Sequence, residues 1–259
     1  MLKSVKVFLA STPLRLIVRK LLNKIFHIKI PGLKKWQQHL HDKQGIEIGG
    51  PSALFNPAGY LPVYNIINSL DGVNFSTSTV WEGKLTEGNN FRYHNKTGHQ
   101  FIAEGRHLPG IPDDTYDFLL SCNNLEHMAN PIAALLEWRR IIKNGGALLL
   151  ILPNKVSNFD HKRPYTGFDH LLKDYTNNTG EDDLTHLEEI LELHDLSRDL
   201  QARPHSFFKE RCHNNFTNRC LHHHVFNEDL IRQMMNYCKL EMKLFHVTEA
   251  CYYALAIKN

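Results

Sequence analysis

The chain has 259 residues, 42% of them apolar and 22% charged, a composition that excludes a disordered or collagen-like chain and fits a folded globular one. Its net charge of +3 hides a split: residues 1–41 carry nine basic groups and no acid, so the rest carries an acidic excess of six. An acidic body argues against wrapping nucleic acid, which needs clustered Lys and Arg. The five cysteines are odd in number and form no C-x-x-C pair, so neither a disulfide framework nor a zinc ribbon is expected, and a reducing, cytoplasmic setting is.

The first predicted element is a basic amphipathic helix from Pro13 to about His27, ended by Pro31-Gly32. Leu14, Ile17, Val18, Leu21, Leu22 and Ile25 form its stripe, while Arg15, Arg19, Lys20 and Lys24 interrupt any bilayer span or signal-peptide core. Such a stripe suits packing on the domain behind it, contact with an anionic membrane surface through residues 13–27, or a transit peptide. Residues 1–40 are therefore read as an N-terminal extension and 41–259 as the main domain.

Gly45-Ile46-Glu47-Ile48 reads as a strand running into the turn Gly49-Gly50-Pro51-Ser52, and Gly59 to Leu70 can be helical. Asp71-Gly72 reads as a turn before a strand at Val73–Phe75; Phe101–Ala103 and Tyr116–Ser121 are the next strands. A helix follows Pro131 and stops at Asn144-Gly145-Gly146, before the apolar run Ala147–Leu152, which suits a strand buried on both faces. Residues 155–225 read as a helical insertion with one helix near 182–200, and the chain closes with a helix at Asn227–Cys238 and a strand pair at Lys243–Val247 and Cys251–Ile257. The expected architecture is α/β: a Rossmann-like, mostly parallel seven-stranded sheet, helices on both faces, an antiparallel C-terminal edge hairpin and the insertion.

In such a sheet ligands bind beyond the carboxyl ends of the strands. Those ends carry Glu47 with Gly49 and Gly50, then Asn74, then Glu104 with Gly105, then Asn123 and Asn124. The segment Tyr116-Asp117-Phe118-Leu119-Leu120-Ser121, the Leu125-Glu126-His127 that follows, and Lys143-x-Gly145-Gly146 resemble the class I S-adenosylmethionine-dependent methyltransferases of the bacterial type 11 group. The resemblance covers about residues 40–155 and extends to the edge hairpin.

The resemblance implies S-adenosylmethionine as cofactor and a small-molecule or sugar/lipid-linked (glycan-type) acceptor. It implies that Glu47, Gly49 and Gly50 lie beside the cofactor's amino-acid part, Asn74 or Asp71 binds the ribose, Glu104 and Gly105 flank the adenine, and Asn123 and Asn124 border the sulfonium. Here Gly50 directly follows Gly49, and Pro51 stands where that family places its next glycine. An acceptor hydroxyl or amine must also lose a proton, and His127 and His161, just past the fourth and fifth strands, are the candidate bases.

The insertion holds nine of the 17 histidines and twelve acids between residues 160 and 224. Asp182, His186 and Glu189, at i, i+4 and i+7, could face one ligand on a helix, which keeps open a metal-dependent hydrolase or oxygenase. The expectation is instead a charged lid without a metal, with Lys162, Arg163 and Arg219 available to an anionic acceptor. A non-catalytic scaffold with a methyltransferase-like fold is the third alternative.

Overall fold

The computed structural model describes residues 28–259, so the helix expected at 13–27 lies outside the described residues. Among the described residues, no helix is long and apolar enough to cross a membrane.

A short helix, α1 (Leu33–Gln37), leads into β1 (Gln44–Ile48) and β2 (Ser69–Asn74). A small ribbon of β3 (Ser78–Thr79) and β4 (Gly83–Lys84) precedes the hairpin of β5 (Gly88–Tyr93) and β6 (Lys96–Ile102). Next come β7 (Tyr116–Cys122), α2 (Pro131–Ile141) and β8 (Ile142–Pro153). The insertion contributes α3 (Phe168–Thr176), α4 (Leu187–Leu193), α5 (His205–His213) and α6 (Asn215–Asn218). The chain ends with α7 (Glu228–Tyr237), β9 (Leu240–Val247) and β10 (Cys251–Lys258).

The main sheet has eight strands in the order β5-β6-β2-β1-β7-β8-β10-β9. Strands β6, β2, β1, β7 and β8 pair in parallel, and an antiparallel strand pair closes each edge. The C-terminal hairpin is as expected; β5 is an eighth strand beyond the expected seven. Its polar, asparagine-rich stretch lacks a continuous apolar run, which is why only pairing with β6 reveals it.

The stretch Gly59–Leu70 is not helical. Pro57 and Pro62 lack the amide protons a helix needs, and the backbone folds back instead, Leu61 and Tyr64 donating to the carbonyls of Leu54 and Phe55. Asp71-Gly72 is not a turn but the middle of β2: a Cβ at Gly72 would fall 2.2 Å from the Phe91 ring, so glycine is there to let β5 pack closely. In α2, Pro131 occupies the first turn and the Asn130 side chain accepts from the Ala133 amide at 3.0 Å, a well-formed start.

Each sheet face buries its own core. One gathers Ile48, Leu119, Leu135, Trp138, Leu150 and Met234 beneath α2 and α7. The other gathers Ile30, Trp36, Phe55, Tyr64, Phe118 and Leu149 under α1 and the irregular segment 53–67. Ile30 and Trp36 thus pack with the domain although they precede residue 41. The insertion has a small core of its own around Ile190, Phe208 and Leu221.

The single helix expected at 182–200 is cut to Leu187–Leu193. The Asp183 carboxylate accepts from the Thr185 hydroxyl and Asp195 from the Ser197 amide, and such local turns compete with helix. Asp182 and His186 therefore precede the helix, and Glu189 pairs with Arg163 at 2.8 Å; the three share no ligand face.

Candidate functional site

A cavity of about 640 Å³ opens at the carboxyl ends of the parallel strands, within the ~300–1,000 Å³ usual for small-molecule sites. Gly49, Asn74, Glu104, Gly105, Asn123 and Asn124 line it, one contribution from each strand end. Gly49 adopts φ 78°, and a Cβ there would fall 2.3 Å from Asn124 Nδ2. Only glycine brings the β1 loop this close to the loop after β7 at low cost. Asn124 Oδ1 is buried without a hydrogen-bond partner among the described residues, an acceptor awaiting a donor.

Glu47, Gly50 and Asp71 do not line the cavity. Glu47 lies beneath the loop, its carboxylate accepting from Ser52 N at 3.0 Å, Ser52 Oγ at 2.6 Å and Tyr64 OH at 2.7 Å. Gly50 covers it: a Cβ there would fall 2.2 Å from Glu47 Cδ. Asp71, three residues before the end of β2, accepts from Tyr116 OH at 2.7 Å and from the His99 amide at 2.8 Å. Glu47 and Asp71 thus shape the strand ends from below.

Burial pushes the Glu47 carboxyl up from 4.5 to about 7, against its hydrogen bonds from Ser52 and Tyr64. The folded state keeps a proton that the unfolded chain releases, so this contribution to stability is full below about pH 4.5 and is lost as pH rises through about 7. Glu126 is likewise pushed up to about 7 by burial. Urea unfolding at about pH 5 and pH 7.5 should therefore show the wild type losing stability relative to Glu47→Gln as pH rises, a difference that isolates Glu47 from the buried histidines, whose lowered pKa values act in the opposite direction.

His127 lines the cavity and stands edge-on to the half-exposed Trp81 at 5.2 Å. Its Nδ1 lies 3.0 Å from the Leu221 carbonyl; a carbonyl only accepts, so Nδ1 carries the proton and Nε2 the lone pair. Burial holds the imidazole well below its usual pKa, hence neutral. His161 does not line the cavity; its Nε2 pairs with Asp195 at 2.8 Å on the insertion's flank.

Three cavity groups escaped the sequence reading. Glu126 is buried with Oε2 unpartnered among the described residues; an acid within the otherwise apolar turn Leu125-Glu126 was the available signal. His222 reaches the cavity from the insertion. Burial would lower its pKa, yet Asp160, 2.5 Å from Nδ1, raises it. Glu126, His127 and His222 offer ligand atoms within 4.8 Å of one another, so they could hold a cation or pass a proton. Trp81, from the β3–β4 ribbon, is the third.

The roof is fastened by charge. Arg219 bridges Glu104 at 2.6 Å and Glu181 at 3.0 Å, its guanidinium stacking over Phe75 and Phe216. Arg163 is buried on Asp160, Glu189 and the carbonyls of His222 and His223, so it is committed to the fold and not to an acceptor. Burial pushes the Cys251 thiol up to about 12 and raises that of Cys122, so neither cavity thiol is a nucleophile near neutral pH.

Residues 68–150 match the family model described as a methyltransferase domain. An uncharacterized protein of Methanocaldococcus jannaschii is 49% identical over 51 residues, 20% of this chain and 22% of that one; the match thus spans about a fifth of that relative's length. Among solved structures, a SAM-dependent methyltransferase of Aquifex aeolicus is 12% identical with a TM-score of 0.44, covering 88% of this chain and 87% of that one. A SAM-dependent methyltransferase of Methanosarcina mazei is 16% identical with a TM-score of 0.46, covering 89% and 98%.

Proposed function

We propose that this chain, whose residues 68–150 match a methyltransferase-domain model, transfers a methyl group from S-adenosylmethionine to a small-molecule or sugar/lipid-linked acceptor. The observation that carries the reading is the meeting of Gly49 and Asn124 at the mouth of the strand-end cavity, with Asn124 Oδ1 left without a donor. A cofactor ammonium would satisfy that orphaned acceptor, and Gly49 and Gly105 let Asn124 and Met128 pack against the loop backbone that lines the cavity. Asn74 would hold the ribose hydroxyls, and Glu104 with Gly105 would flank the adenine.

The bound cofactor supplies an electrophilic methyl group on a sulfonium. The protein's residues position the acceptor, exclude water and accept one proton. The neutral His127 presents the lone pair of Nε2, and its Nδ1–H bond to the Leu221 carbonyl fixes the ring for that task. Trp81, half exposed beside His127, offers a flat apolar face of the kind on which a sugar or ring-bearing acceptor rests.

Isothermal titration should show S-adenosylhomocysteine binding to the wild type and at least about tenfold weaker binding to Gly49→Ala, equivalent to ~1.4 kcal/mol. A wild type that binds neither S-adenosylmethionine nor S-adenosylhomocysteine would overturn the reading.

A further inference from the structure

Away from the cavity, the insertion draws together His170 and Asp174, one turn apart on α3, His186 in the turn before α4, and His224 on the segment returning to α7. The three imidazoles offer ligand atoms within 4.8 Å of one another. His170 Nε2 and His186 Nε2 face each other at 2.8 Å, and Asp174 Oδ2 lies 3.3 Å from His170 Nε2.

Two buried atoms of this cluster are orphaned. His224 is 2% exposed, and its Nδ1 has no hydrogen-bond partner among the described residues. Its Nε2 lies 3.2 Å from the Ala129 carbonyl, which only accepts; Nε2 therefore carries the proton and Nδ1 a bare, buried lone pair. Asp174 Oδ2 is also buried without an aligned donor among the described residues. A metal-bound histidine commonly donates its other ring N–H to a carbonyl in this way.

We propose that His170, His186 and His224 form a three-histidine site for a divalent cation of the zinc class, joining the insertion to the loop after β7, with the Asp174 carboxylate beside it. Three imidazole nitrogens suit zinc, with a water in the fourth position, and no sulfur favours a softer metal. Zinc–nitrogen bonds of about 2.0–2.1 Å set tetrahedral ligand atoms roughly 3.3 Å apart, and the three imidazoles, already within 4.8 Å of one another, would close on the ion by side-chain rotation. The cation would tie α3, the α4 entry and the irregular segment at His224 to Ala129, whose amide faces the Glu181 carboxylate. The site thereby fixes the cavity roof without touching the cavity, and it stands or falls independently of methyl transfer.

The test uses the full chain, loaded with zinc, dialysed and subjected to elemental analysis. About one zinc per chain is expected in the wild type, with a chelator lowering Tm by at least about 5 °C. His186→Ala, at a half-buried position, should lose the zinc and the chelator response, whereas His222→Ala should keep both. His170→Gln, which keeps a polar side chain at a half-exposed position, should weaken zinc binding at least about tenfold, and it serves if His186→Ala does not fold. A wild type that retains no zinc overturns the proposal, as does zinc kept by His186→Ala but lost from His222→Ala, which would move the metal to Glu126, His127 and His222.

Discussion

His127→Gln is expected to lower the rate of methyl transfer by about 10²–10⁴-fold, the usual contribution of a positioned acid–base group, while leaving S-adenosylhomocysteine affinity within about twofold. Glutamine can still donate to the Leu221 carbonyl but offers no imidazole lone pair to take a proton. The neutral state of His127 follows from burial and from the neighbouring His222, which outweigh the opposite pull of the Leu221 carbonyl, so it is available as a base throughout the neutral range. The measurement is incorporation of labelled methyl from S-adenosylmethionine into a hydroxyl- or amine-bearing acceptor pool. His161→Gln should leave that rate unchanged, because His161 is held by Asp195 outside the cavity. Full activity in His127→Gln would pass the proton to Glu126, which lines the same cavity.

Trp138→Ala should cost about 3–5 kcal/mol of stability, as large-to-small core changes at fully buried aromatic positions do. Trp138 has no exposed surface, and its Nε1–H donates to the Gly105 carbonyl at 2.7 Å. Truncation thus opens a cavity and also leaves a buried acceptor unpaired, worth another ~1–3 kcal/mol if no water replaces the donor. Against a typical total of roughly 5–15 kcal/mol, such a loss brings the domain close to unfolding at body temperature. Trp138→Phe separates the two effects: it retains most of the volume and forfeits the hydrogen bond, so it should cost about 1–3 kcal/mol. Urea titration with an unchanged m-value would register both as stability effects. Because the lost bond holds Gly105 at the cavity edge, the phenylalanine variant should also bind S-adenosylhomocysteine more weakly.

What was legible from the sequence was local. The apolar run Phe118-Leu119-Leu120 ends abruptly at Asn123-Asn124, and Asn130-Pro131 announces α2 in adjacent residues; β7 and α2 lie where those signals put them. The stretch Gly59–Leu70 was misread because its apolar residues fill a face of the sheet while Pro62 denies them a helix. In the site, Gly49 and Asn124 could be named, but not their contact, which joins residues 75 positions apart. Glu47 and Asp71 showed their chemistry and hid their address, since whether a strand-end acid points into the cavity or under the loop depends on Tyr64 and Tyr116, donors from elsewhere in the chain. The histidine cluster was invisible for the same reason: His186 and Glu189 look like helical neighbours, whereas the real companions of His186 are His170 and His224, brought in by the tertiary fold.

The antiparallel pairs at both edges of the sheet bear on how the chain finds this arrangement. In β5–β6 and β9–β10 the partners are separated by a few turn residues, as between Tyr93 and Lys96 or Val247 and Tyr252. Such pairs close on the microsecond scale. The central β1–β7 pairing must instead bring Gly45 to Phe118 across more than seventy residues, at a far larger loop-closure entropy. The sheet is thus assembled from quickly formed borders and a slow middle. The strand ends that carry Gly49 and Asn124 meet only when that long loop is closed, so the ligand-binding mouth belongs to the slow part of folding, as does the docking of the C-terminal hairpin, which brings Cys251 to Pro153.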